Sequence, residues 1–244
     1  MHMPNIRLII EYDGTDFAGW QYQINGRSVQ EEVEKAIKQI IQSDIRITGG
    51  GRTDAGVHAC GQVANFDSKR DVDIPVFARS LNAVLPSSIK IREAAEVPLD
   101  FNARHDAKSR RYSYFISQEP TAIHRHYCWQ VFRKLDFDLM QNCAEQIHGE
   151  HGFRSFCKVE DDVHQHRCTV SSAGWGKKDE LLVFDITANR FLHGMVRTLV
   201  GTMVNIGRGH TKIEDFASIL EAKDRSVAGM AAPAKGLFLE EILY

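Results

Sequence analysis

The chain has 244 residues, 43% of them hydrophobic and 25% charged, with 30 basic side chains against 32 acidic ones. That length and mixture exclude fibrous, low-complexity and disordered chains and leave one large globular domain or two small ones, at about 150 residues per domain. The net charge of −2 lacks the overall basic surplus of a dedicated nucleic-acid binder, though a local basic groove is compatible with it.

The predicted elements alternate between two periods. An apolar run from Ile6 to Glu11 stops at the turn pair Asp13-Gly14 and reads as a strand. Ser28-Val29-Gln30-Glu31 is a capping box, and behind it Val33, Ile37, Ile40 and Ile41 share one helical face. A short strand over Ile45–Thr48 runs into a glycine-rich loop, Gly49 to Gly56, and Gln62–Phe66 forms the next strand. Asp73 caps a second helix with Pro75 in its first turn and an apolar stripe of Val76, Phe77, Leu81, Val84 and Leu85; Pro86 ends it. Ile89–Glu93 completes a β-α-β-β-α-β series.

The second half repeats that pattern without repeating the sequence. Arg110–Ser117 alternates with period two, a helix covers about Asp136–His148, and Arg167–Trp175 pairs with Leu181–Ala188 across Gly176-Lys177-Lys178-Asp179. Leu192, Met195, Val196, Leu199, Val200, Met203 and Val204 give the strongest helical spacing in the chain. Thr211 and Glu214 introduce a short helix, and Gly236–Leu243 is a closing strand. Each half fits a ferredoxin-like split β-α-β unit, so the expectation is an α+β protein of two halves, 1–105 and 106–244. Their sheets are expected to join into one mixed or antiparallel sheet with a central cleft.

No run of 18 apolar residues is present, so no membrane span is expected, and Met1–Ile10 lacks the signature of a signal peptide. The five cysteines have no regular spacing, which points to a reducing, cytoplasmic setting.

Four segments bear on chemistry. In Gly49-Gly50-Gly51-Arg52-Thr53-Asp54-Ala55-Gly56-Val57-His58, extended backbone points Arg52 and Asp54 the same way. An adjacent arginine keeps a carboxylate ionised, which suits a nucleophile; spacing alone fits a glycine turn with a local ion pair better, since such loops are common. Asn102–Tyr112 is basic through Arg104, Lys108, Arg110 and Arg111 and leads into Tyr112 and Tyr114. Cations hold phosphates and rings stack on bases, so this is a candidate nucleic-acid surface; a solvated loop before a core strand fits too. His193 and Arg197, four apart, share a helical face that either lies in solvent or reaches a phosphate or the Asp54 carboxylate. His148, His151, Cys157, His164, His166 and Cys168 cluster in sequence, but their spacing fits no zinc-site pattern, so no metal is expected. The residues alone also admit a non-catalytic RNA binder or a metal-dependent hydrolase built on that cluster.

Taken together, the motifs resemble the TruA family of tRNA pseudouridine synthases along nearly the whole chain. The resemblance is carried by Glu11-Tyr12-Asp13-Gly14, Gly19-Trp20-Gln21, Ser28-Val29-Gln30, Gly51-Arg52-Thr53-Asp54-Ala55-Gly56-Val57-His58 and Gly61-Gln62-Val63. It continues in Leu81-Asn82, Phe101-x-Ala103-Arg104, Arg111-Tyr112-x-Tyr114, Phe153-x-Ser155-Phe156, His193-x-Met195-Val196-Arg197, Gly201 and Ala232-Pro233-x-x-Gly236-Leu237. It implies the pseudouridine synthase fold, isomerisation of uridine at tRNA positions 38, 39 and 40, no metal or organic cofactor, and a homodimer with tRNA touching both subunits. By match, Asp54 is the nucleophile and Tyr112 contacts the target base; the chemistry itself needs an ionised carboxylate, which Arg52 is expected to maintain with help from Arg197. Two departures are the Gly152 that stands where an acidic residue is common and the missing overall basic surplus.

Overall fold

In β1 (Asn5–Tyr12), Ile6, Leu8, Ile10 and Tyr12 form the inward row, all at or below 2% exposure. Ser28 then caps α1 (Val29–Ile41), its side chain accepting from the Glu31 N–H as the capping box predicts. Val33, Ala36, Ile37 and Ile41 make the buried stripe of α1, while Ile40 is only half-buried. β2 is just Thr48–Gly49, shorter than the strand expected over Ile45–Thr48, and β3 (His58–Asp67) is longer than expected. In α2 (Ile74–Val84) the Asp73 carboxylate accepts from the Val76 N–H. β4 (Ile89–Val97) completes the series.

The computed structural model describes residues 3–158 and 166–244. The chain forms two compact units, residues 1–108 with 239–244, and residues 109–238. In the first, the strands run β4-β1-β3 with β2 added to β3, and every pairing is antiparallel. That is the strand arrangement of a ferredoxin-like split β-α-β unit. α2 packs on β4 and on α1. It does so through Phe77 and Leu81 with the terminal Leu85, whereas Val76 and Val84 of the expected stripe are exposed. A helix lying over only part of a sheet needs a narrower apolar stripe than its sequence supplies.

The second unit holds β5 (Ser109–Ser117), β6 (Trp129–Gln130), α3 (Phe137–Gln146), β7 (Gly149–Gly152), β8 (Arg167–Lys178), β9 (Leu181–Ala188), α4 (Met195–Gly207) and α5 (Asp215–Glu221). The order β5-β9-β8-β7 is antiparallel throughout, and β6 adds to β5 in parallel. α4 is buried along nearly its whole length. Such a helix is apolar all round because it has no solvent face. Phe153, Phe156 and Phe216 pack as tilted rings in the same core, centroids 6.3 and 6.1 Å apart, each worth about 1.5–3 kcal/mol of burial. β10 (Leu237–Leu243) leaves the second unit at Phe238, and its remaining residues belong to the first.

Candidate active site

Within the first unit, the loop between β2 and β3 is fastened on several sides. The Gly50 N–H donates to Val63 O at 2.7 Å. Gln62, fully buried on β3, clamps Gly51: its amide oxygen accepts from the Gly51 N–H at 3.2 Å and its amide nitrogen donates to Gly51 O at 2.8 Å. Two residues on, the Thr53 hydroxyl lies 2.7 Å from the Tyr12 hydroxyl, and Thr53 O accepts the Trp20 N–H at 3.1 Å. The Asp54 carbonyl accepts from the Val57 N–H at 3.2 Å, and the Gly56 N–H donates to Phe17 O at 3.2 Å. His58 is buried, its Nδ1 accepting from the Gly14 N–H at 3.1 Å with an Asp13 carboxylate oxygen equally close.

This framing sorts the side chains. Thr53 is 8% exposed, Arg52 is exposed, and Asp54 is half-buried. Thr53 thus turns inward between two more exposed neighbours. The expected local ion pair is absent: among the described residues Arg52 forms no ion pair and no hydrogen bond. An exposed, unrestrained arginine gains too little from one neighbouring carboxylate to be held there.

The segment before Asp54 approaches closely because of one glycine. Gly19 has φ of +103°, and a Cβ there would stand 2.6 Å from Thr53 O and 3.1 Å from the Asp54 carbonyl carbon. No other residue allows both that backbone and that approach. Trp20, 1% exposed, stacks near Tyr12 with ring centroids 6.1 Å apart. Burial pushes the Tyr12 phenol well above its ordinary range, with hydrogen bonds from Thr53 and Gln62 opposing, so it stays protonated.

Arg104 belongs to the same unit. Its neighbour Ala103 is pinned by Asn65, whose oxygen accepts the Ala103 N–H at 2.8 Å, and by the Tyr244 hydroxyl, which donates to Ala103 O at 2.8 Å. Asn102 then accepts from the Arg104 N–H at 3.0 Å, and the Arg104 side chain is exposed on this turn.

The remaining candidates lie in the second unit. Tyr112 is 6% exposed, with the Phe191 ring edge-on at 5.0 Å, while Arg111 beside it is exposed. Arg197 sits in the first turn of α4, and its Nε donates to Ala232 O at 2.7 Å. His193 does not share a helical face with it. α4 starts after Gly194, whose φ of +75° turns the chain, so His193 is an exposed residue ahead of the helix. The carbonyl of His193 accepts from the Lys158 N–H at 3.0 Å.

The His/Cys segment forms no metal centre among the described residues; no three His, Cys, Asp or Glu side chains there could hold an ion. A ring nitrogen of His148 faces Ser171 O, and one of His151 faces His148 O, each at 2.9 Å. His164 lies outside the described residues.

The sequence model of a tRNA pseudouridine synthase family matches residues 8–106 and 143–244. The chain is 41% identical over 244 residues to a tRNA pseudouridine synthase A of Acetivibrio thermocellus, covering 99% of this chain and 100% of the relative. It is 43% identical over 243 residues to that of Chlorobium phaeovibrioides and 40% identical over 244 residues to that of Caldicellulosiruptor bescii, with the same coverage in both. The α+β frame is the pseudouridine synthase fold, and the protein it builds is an isomerase. The chain belongs to the tRNA pseudouridine synthase family.

Proposed function

We propose that this chain converts uridine to pseudouridine at positions 38, 39 and 40 of the tRNA anticodon stem-loop, with Asp54 as nucleophile and no cofactor. The observation that carries the reading is the Asp54 side chain, half-exposed in a loop whose neighbouring residues are tied to the core. A carboxylate held on so stiff a mount is pre-organised for attack.

The reaction breaks the N1–C1′ bond, turns the uracil and joins C5 to C1′. C5 loses its hydrogen and N1 gains one, so atoms and electrons balance without a redox partner. Asp54 serves by attacking C1′ or by taking the C2′ proton, and either role needs it ionised. Arg52 acts on it through charge at a distance, and Arg197 is among the substrate contacts. A stem uridine must be flipped out first, at a cost of a few kcal/mol. Tyr112 stacks on the freed base once its ring gives up part of its contact with Phe191. Arg104 and Arg111, both exposed, hold phosphates, and His193 lies among the tRNA contacts. The enzyme works as a homodimer in the cytoplasm, a setting that suits five cysteines all in the thiol form.

The experiment is tritium release from tRNA labelled at uracil C5, wild type beside Asp54→Asn. Release by the wild type alone is expected, with tRNA binding retained in the variant. Activity in Asp54→Asn would remove the nucleophile assignment, and tRNA binding without release by the wild type would leave only an RNA-binding protein.

A further inference from the structure

We infer that the buried hydroxyl of Tyr12, acting through Thr53, sets the direction in which Asp54 leaves its loop, which makes Tyr12 and Thr53 positioning residues of the isomerisation. The inference rests on Asp54 being the nucleophile.

Tyr12 ends an inward row whose other members, Ile6, Leu8 and Ile10, are aliphatic. Packing alone would be met by phenylalanine there, since a buried hydroxyl is costly unless it is hydrogen-bonded. A bulge re-aims the side chain: β1 pairs Ile10 with Gln62 but Tyr12 with Ala59, so the register slips by one residue between them. The hydroxyl lands 2.7 Å from Thr53 Oγ1 and also interacts with Gln62. Gln62 in turn holds both backbone groups of Gly51. Thr53, Tyr12, Gln62 and Gly51 therefore form one buried chain of hydrogen bonds that fixes the residues on either side of Arg52. Asp54 is the next residue out. Thr53 is pinned inward through its side chain and its carbonyl is bound by Trp20, so the backbone that leads into Asp54 is held from both sides.

Tyr12→Phe removes one oxygen and no packing. It leaves Thr53 Oγ1 without its partner and Thr53 held, among the described residues, only by the Trp20 N–H bond to its carbonyl. Because misplacing a catalytic group by about 1 Å costs about 100-fold, kcat for tritium release is expected to fall 10- to 100-fold with KM for tRNA unchanged. Thr53→Val should do the same, Thr53→Ser should restore most of the rate, and the Tyr12→Phe/Thr53→Val double variant should be no worse than either single one. Amide exchange gives a readout independent of turnover: in Tyr12→Phe the amides of Thr53–Val57 should exchange faster while those of β1 and β3 keep their protection. A lowered Tm with unchanged kcat and unchanged loop exchange would reduce the pair to a stability element and overturn the inference. If the wild type releases no tritium, the isomerase reading falls, and the loop exchange still decides whether the pair anchors Asp54.

Discussion

Replacing Gly19 by alanine tests whether the Asp54 loop is held from the segment before α1. The added Cβ would stand 2.6 Å from Thr53 O, which is 0.8 Å inside the 3.4 Å where ordinary contact begins. It would also need φ of +103°, where side-chain-bearing residues rarely sit. The backbone strain costs about 1–3 kcal/mol and the overpacking about as much again. The struck carbonyl is the one that accepts the Trp20 N–H, so relief of the clash must stretch that bond or shift Thr53 and Asp54. For a chain of this size each kcal/mol lowers Tm by about 2–4 °C, so Gly19→Ala should lose at least roughly 4 °C. A shift of this size should cut kcat by up to about 100-fold. Differential scanning calorimetry and tritium release measure the two effects. The control is Gly176→Ala on β8, where a Cβ meets nothing within 4 Å. If Gly19→Ala matches the control in both Tm and kcat, the segment from Gly14 to Trp20 does not constrain the Asp54 loop.

Arg104→Ala and Arg111→Ala should each weaken tRNA binding across all sequences and reduce the slope of log affinity against log salt by about 0.7–0.9. Filter binding over a salt series reads this, and an unchanged slope would remove those residues from the phosphate contacts. Cys60 is exposed, yet burial of its sulfur and the Glu240 and Glu11 carboxylates push its thiol up to about 11. At pH 8 its alkylation should run about 100-fold slower than that of an ordinary thiol and rise tenfold per pH unit toward pH 11. Rapid labelling of the folded protein at neutral pH would contradict that environment.

The frame of the first unit was legible because its signals are local. The Ser28–Glu31 capping box and the Asp73 cap act within one turn, and both caps form as the sequence implies. The Asp54 string was legible as a motif, and its mount was not. Gln62 and Tyr12 each sit inside an ordinary apolar strand pattern, and their partners lie 11 and 41 positions away. A buried polar residue in an otherwise aliphatic row was the available signal. Helical periodicity ran past the true start of α4, because Leu192 fits the stripe while Gly194 turns the chain. β7 went unread because Gly149-Glu150-His151-Gly152 lacks any alternation, and its pairing with β8 comes from a strand that follows it in sequence. Arg52 and Asp54 flank a buried Thr53, and an exposed arginine has no reason to close the pair before a ligand arrives.

Residues 239–244 group with the first unit although the whole of the second unit is made before them. Leu243 O takes the Lys108 N–H at 2.8 Å, and the Tyr244 hydroxyl stands beside Gly50 while bonding Ala103. On the ribosome, the mount of Asp54 therefore stays unfinished while residues 109–238 are synthesised, a delay of roughly ten seconds at about 5–20 residues per second. A nascent chain that stalls in the second unit carries the full Gly51–His58 string without the residues that brace it. The fold thus completes the bracing of the Asp54 loop only after the whole second unit has been made.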